Sequence, residues 1–196
     1  MIILASASPR RQELLRNAGI SFSVQPSNID ESPLAGESAK DCAERLAKGK
    51  ALAASRNYPD DFVLGADTIV VVDGVMLGKP RDEDDAVRML RVLSRRTHEV
   101  ITGVCLVAPS GRASVSSDVT VVTMGEVADE EIRAYVATGE PMDKAGGYAS
   151  QGIASRWITR IEGSYSNVVG LPVALVYGML NAMQYSGARE IDRGRS

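Results

Sequence analysis

The chain is 196 residues long, with 44% hydrophobic and 24% charged residues and a formal net charge of -3. That length suits one sizeable core, or two small lobes around a cleft, rather than two independent domains. The slightly acidic balance argues against a broad basic face that coats nucleic acid, and an aromatic content of 5% argues against a base-stacking surface for single strands.

In chain order, Ile2 to Ala5 is a short apolar run that reads as a buried first strand. Ser8 is a good N-cap and Pro9 fits the first helical position, so a helix is predicted from there to about Ala18, stopped by Gly19. Phe22 to Pro26 alternates as a second strand, and the polar stretch Asn28 to Gly36 reads as a loop. Ser38 opens a second helix, with Asp41 as its capping partner and Cys42, Leu46 and Leu52 among its apolar positions. Phe62 to Val72 is a β-branched strand, Asp73-Gly74 a hairpin turn, and Val75 to Leu77 the return.

Beyond Lys79-Pro80, Ala86, Met89, Leu90 and Leu93 recur with the period of one helix face. Val100 to Val107 and Val115 to Thr123 are two strands joined through Pro109-Ser110-Gly111. Asp129 is expected to cap a helix carrying Ile132, Tyr135 and Val136 that ends at Gly139. Lys144 to Gly170, rich in Gly, Ser and Tyr, reads as loop; Pro172 starts a last helix to about Tyr185, and the polar tail from about Ser186 is expected to fray. Interleaved strands and helices with hairpins predict an α/β fold with a mixed sheet and flanking helices, a single domain over residues 1–196.

The N-terminus lacks the basic region and the length of a signal peptide, and no apolar run approaches the ~20 residues that span a bilayer. Cys42 and Cys105 stand far apart without a CxxC or Cys/His pairing, so both read as small buried hydrophobes, with no zinc ligand set and no sign of an oxidising compartment. A cytoplasmic protein with no membrane association is the expectation.

Three segments carry more polar chemistry than a scaffold needs. Ser6-Ala7-Ser8-Pro9-Arg10-Arg11 places hydroxyls, two guanidiniums and free helix N–H groups at one strand-to-helix turn, an arrangement suited to a phosphate chain. Adjacent arginines diverge by about 100° on a helix, so at most one points squarely at a given phosphate. In Gly65-Ala66-Asp67-Thr68, an acid sits inside an apolar strand, where it needs a partner, a proton or a metal. Asp67 is therefore the best single candidate for a general base or metal ligand, and Gly65 admits a closely approaching backbone or ligand. Asp143-Lys144-Ala145-Gly146-Gly147-Tyr148, followed by Gln151-Gly152, permits a tight loop, a weak signal by itself. Asp30, Glu31, Lys50 and Lys79 are further charges that can converge on a site. His98 is the sole histidine and lies in no triad-like context, and Trp157 reads as core or interface.

Taken together, Leu4-Ala5-Ser6-x-Ser8-Pro9-Arg10-Arg11, Ala43-x-Arg45-Leu46-Ala47-x-x-Lys50-Ala51, Gly65-Ala66-Asp67-Thr68-x-Val70, Gly78-Lys79-Pro80, Asp143-Lys144-Ala145-Gly146-x-Tyr148, Gln151-Gly152, Ile161-Glu162-Gly163-Ser164-Tyr165 and Asn167-Val168-Val169-Gly170-Leu171-Pro172 resemble the Maf family, in order and spacing, over about residues 2 to 183. The resemblance implies a fold related to inosine triphosphatases, a mixed twisted sheet split by a central cleft between two lobes, commonly as a homodimer. It implies a house-cleaning nucleoside triphosphate pyrophosphatase using a divalent cation, Mg²⁺ or Mn²⁺, with a nucleotide as its partner and no stable nucleic acid. By the same resemblance Asp67 is the proton acceptor; Ser8, Arg11, Glu31, Lys50 and Lys79 bind phosphates or metal, with Asp67 and Glu31 as the metal ligands; and Arg10, Thr68 and Gln151 select the base. That trio is similar to the branch acting on dTTP and UTP, although Ala149-Ser150 departs from the Gly-Ile expected before Gln151. The alternatives are the 7-methyl-GTP branch, another modified nucleotide, and a non-catalytic nucleotide-binding regulator of septum formation.

Overall fold

Alternation along the strands sorts the side chains of the first unit onto two faces. The structure is a computed structural model describing residues 1–185, so the fraying expected of the tail from Ser186 lies outside the described residues. Strand β1 (Ile2–Leu4) pairs in parallel with β2 (Phe22–Val24) on one side and with β3 (Phe62–Val72) on the other. Residues Ile2, Leu4, Leu64, Ala66, Val104 and Leu106 form one buried cluster with Leu15 of helix α1 (Pro9–Asn17) and Val176 and Leu180 of the chain's last helix (Val173–Ala182). The residues between them, Ile3, Ala5, Val63, Cys105 and Val107, form another with Ala47, Ala51 and Ala54 of α2 (Ala39–Ser55). The period of two is the pleat itself: neighbours in a strand face opposite ways, and both faces are covered by helices.

Among the described residues the sheet has seven strands, in the order β2-β1-β3-β5-β6-β7, with β4 (Val75–Leu77) hairpinned onto β3. Here β5 is Thr97–Val107, β6 Ala113–Met124 and β7 Ile158–Glu162, which pairs antiparallel with β6. With parallel and antiparallel pairs in one sheet and helices alongside, the mixed α/β expectation holds. The described chain divides into two units: residues 1–67, 102–118 and 170–185 form the first, and residues 68–101 and 119–169 the second. The second unit has its own core, in which Val70, Val72, Leu77, Val100, Val122 and Met124 pack with α3 (Glu83–Leu93) and α4 (Asp129–Val136). No helix among the described residues is long and apolar enough to cross a membrane.

Local chemistry explains most boundaries. Ser38 accepts from the Asp41 amide at the start of α2, and Asp82 does the same for Asp85 at α3. Asp73 (φ 50°) and Gly74 (φ 76°) form the two-residue turn that sets the register Val72 to Val75. Three expectations are corrected. Leu52 is 38% exposed; the buried stripe of α2 keeps Cys42 and Leu46 and otherwise runs through alanines and Lys50. Asp129 is not a cap: Ala128 is the N-cap, and Asp129 sits in the first turn, bonded to Arg91 and Arg133. The segment 144–170, expected as loop, contains 3-10 turns, β7 and a short helix α5 (Tyr165–Val169); the last helix, α6, is Val173–Ala182. Both cysteines are free and buried as expected.

Candidate active site

Gly65 is where the site begins. A Cβ built there would lie 2.2 Å from the Ala47 carbonyl oxygen, and one built at Gly103 on β5 would lie 2.3 Å from that of Ala43. The two glycines let the backbone of α2 settle directly on β3 and β5, so the approach anticipated at Gly65 is that of a helix. Asp67 continues the row of Val63 and Gly65 toward α2. One turn beyond Ala47, Lys50 meets it: Nζ donates to Asp67 Oδ1 at 2.6 Å and lies 2.6 Å from Glu31 Oε1.

This cluster has a graded burial. The side chains of Lys50 and Asp67 are 8% and 12% exposed, whereas that of Glu31, from the loop after β2, is 47% exposed. A charge in so apolar a strand is tolerated because a cation sits against it. Asp67, Lys50 and Glu31 thus converge on one point in the first unit. Two carboxylates converging on one cation are hard oxygen donors of the kind Mg²⁺ and Mn²⁺ accept. Such ions commonly take one or two carboxylates and fill the remaining positions with waters and substrate phosphates. Among the described residues there is no group of three or more His, Cys, Asp and Glu that would cage a metal; the carboxylates of Asp67 and Glu31 are the oxygen donors that stand together at Lys50.

The turn between β1 and α1 lies in the same unit. Ser8 is the N-cap but makes no side-chain capping bond; its amide donates to Ser6 Oγ at 3.3 Å. Arg10 is half-buried and Arg11 buried, so the two diverge as their spacing requires. Arg11 Nε donates to the Gly170 carbonyl at 2.8 Å, and its Nη1 donates to Ser6 Oγ at 3.1 Å and to the Ala66 carbonyl at 2.9 Å. Burial pushes the pKa of the guanidinium down, and the charge of Asp67 opposes that. Arg11 therefore ties the turn between β1 and α1 to the residue preceding Asp67.

The other three candidates belong to the second unit. Thr68 follows Asp67 in β3 and is half-buried; Lys79 and Gln151 are exposed. The loops carrying the last two are joined, because the Gly146 amide donates to the Gly78 carbonyl at 3.0 Å. A Cβ at Gly146 would lie 3.0 Å from Val70 Cγ2, and its φ of 70° favours glycine, so the Gly-rich stretch is demanded by packing as well as by the turn. His98 is buried in β5, its Nε2 2.7 Å from Tyr148 Oη, and desolvation lowers its pKa to about 4. It anchors this loop and forms no triad. Trp157 is 5% exposed and packs edge-on against Tyr135, which makes it core. Sequence reasoning missed Tyr135 and Glu140 as polar partners of the loop: Tyr135 reads as one more apolar position of α4, and its hydroxyl's destination is invisible without the fold.

Residues 1–183 match the family model described as Maf-like protein. A relative from Koribacter versatilis (strain Ellin345), a dTTP/UTP pyrophosphatase, is 58% identical over 179 residues, covering 91% of this chain and 92% of its own. Another of the same name, from Geobacter sulfurreducens, is 53% identical over 176 residues, covering 89% and 92%. Among solved structures, the Staphylococcus aureus Ham1 protein superposes with a TM-score of 0.51 at 13% identity, over 93% of this chain and 98% of that one. That likeness concerns the fold.

Proposed function

Given that the chain belongs to the Maf-like protein family, we propose that it is a nucleoside triphosphate pyrophosphatase that hydrolyses dTTP and UTP to the monophosphate and pyrophosphate. The observation that carries this reading is the buried Asp67 carboxylate, held 2.6 Å from Lys50 in an otherwise apolar strand, in a chain more than half identical over nearly its whole length to dTTP/UTP pyrophosphatases.

In the proposed reaction Asp67 orients a water and accepts its proton as the oxygen attacks the α-phosphorus. The new P–O bond forms as the α–β phosphoanhydride bond breaks, and the electron pair leaves with pyrophosphate. Asp67 and Glu31 would hold a divalent cation, Mg²⁺ or Mn²⁺, which when bound supplies Lewis acidity at phosphate oxygens and acidifies a coordinated water. Lys50 and Lys79 offset phosphate charge, and Ser8 and the amides of the α1 N-terminus receive phosphate oxygens. Gln151 carries both a donor and an acceptor, matching the imide edge of thymine and uracil, with Arg10 and Thr68 completing base selection. Arg11 braces the turn before α1 through Ser6 and Ala66.

The test is pyrophosphate release from dTTP, UTP, CTP, GTP and 7-methyl-GTP, with Mg²⁺, with Mn²⁺ and with a chelator. We expect the highest kcat/KM for dTTP and UTP, and loss of turnover on chelation. A lead for 7-methyl-GTP would overturn the base assignment, and no release from any nucleotide would overturn the enzyme. The proposal includes a cytoplasmic homodimer, supported by the two free, buried cysteines for the compartment and by the family resemblance for the assembly; sedimentation analysis checks the latter.

A further inference from the structure

The turn that carries Gln151 is gripped at both ends by one relay of hydrogen bonds. It closes on itself through the Gly152 amide and the Ala149 carbonyl, at 3.2 Å. At its entrance the Ala149 amide donates to Tyr135 Oη at 3.1 Å. The Tyr135 hydroxyl donates in turn to Glu140 Oε1 at 3.0 Å. At its exit the Ile153 amide donates to that same oxygen at 3.2 Å. A single carboxylate oxygen therefore terminates a path that begins at one end of the turn and collects the other.

Gly152 belongs to the grip. Its φ of -101° is open to any residue, so conformational freedom does not explain a glycine there. A Cβ at that position would stand 2.1 Å from Glu140 Oε1. Glycine is present because the carboxylate presses against the turn's backbone. The phenol cannot shift to accommodate a change, since its ring is buried and packs edge-on against Trp157 at 5.2 Å. Gln151 itself is exposed at the tip. An exposed amide discriminates between bases only when its backbone is fixed, because a mobile one reorients to satisfy whichever edge arrives.

We infer that Tyr135 and Glu140 are positioning residues for base selection: they hold the 149–153 turn so that Gln151 meets a pyrimidine imide edge in one orientation. This rests on the proposed assignment of Gln151 to the base. It adds two residues that touch no substrate, and a reason for the glycine after Gln151.

The experiment compares kcat/KM for dTTP with that for GTP in wild type, Gln151→Ala, Tyr135→Phe, Glu140→Ala, Glu140→Gln and Gly152→Ala. Tyr135→Phe keeps the ring and its packing, so it folds even where Glu140→Ala does not. Gly152→Ala displaces the carboxylate without altering either relay side chain. We expect the dTTP preference to fall about tenfold in Gln151→Ala, Tyr135→Phe, Glu140→Ala and Gly152→Ala, chiefly through KM for dTTP. Tyr135→Phe combined with Glu140→Ala should be no worse than either alone, since they interrupt one path. Glu140→Gln should restore the preference, because its amide oxygen accepts both bonds. If Gln151→Ala loses the preference while Tyr135→Phe and Gly152→Ala keep it, the inference is wrong and the base assignment stands, even with lowered melting temperatures. A wild-type ratio near one removes the base assignment and the inference together.

Discussion

Lys50 reaches Asp67 across 2.6 Å because Gly65, two residues before the acid, leaves room for the backbone of α2. The ion pair and the glycine are one design: a Cβ at position 65 would move the helix, and with it the ammonium.

Asp67→Asn should retain the fold and lose turnover by roughly 10²- to 10⁴-fold, the usual contribution of a positioned acid or base. Lys50 keeps Glu31 as a counter-charge in this variant, so the melting temperature should shift only modestly. Pyrophosphate release and thermal melts on the same preparation check both halves. Activity within a few-fold of wild type would remove Asp67 from the chemistry.

Gly65→Ala should destabilise by about 1–3 kcal/mol or more, as overpacking against a rigid backbone does. It should also depress kcat, because Lys50 would be displaced from Asp67. Gly78→Ala is the control: nothing lies within 4 Å of a Cβ there. Denaturant midpoints of the two variants should differ clearly, and equal midpoints would contradict the close helix–strand contact.

Arg11→Ala and Lys79→Ala should part company. Removing Arg11 deletes its bonds to Ser6 Oγ and to the carbonyls of Ala66 and Gly170, which should cost about 1–3 kcal/mol. Lys79 is exposed, and its loss should leave stability within about 0.5 kcal/mol while raising KM for the triphosphate. Urea unfolding alongside steady-state kinetics separates them. A stable Arg11→Ala protein with impaired turnover would instead make Arg11 a direct phosphate ligand.

His98 should give the fold an acid-sensitive limb. Its pKa is lowered from 6.5 to about 4 by burial. The unfolded chain therefore binds the proton first as pH falls. The stability gained by keeping His98 neutral is fully present above about 6.5, declines below it, and is gone below about 4. Asp85, held down to about 2 first of all by its hydrogen bond with Arg81, loses its contribution only at lower pH. Unfolding midpoints between pH 7 and 4 should fall, and His98→Gln, which can still meet Tyr148, should flatten that limb. An unchanged slope in the variant would assign the pH dependence to other groups.

The strand from Phe62 to Val72, the Asp73-Gly74 hairpin and the α3 face of Ala86, Met89, Leu90 and Leu93 were legible in the sequence, because periodicity and turn chemistry are local. So was the oddity of Asp67, since an acid among β-branched residues announces a desolvation cost wherever the strand lies. The residues that answer that cost were not equally legible: Lys50 looks like any helical lysine until α2 is laid on Gly65 and Gly103. Arg10 and Arg11 are the same residue type side by side, and only their directions from α1, one half-buried and one tied to Ser6, Ala66 and Gly170, separate their tasks. Tyr135 and Glu140 look like a core aromatic and a surface acid until Ala149 and Ile153 arrive from further along the chain. Local sequence thus determined the elements and singled out the costly acid, because propensity and alternation act over a few residues. The tertiary structure alone decided which donors and acceptors meet, because a buried polar group is satisfied by whatever packing brings within about 3 Å of it, at any distance along the chain.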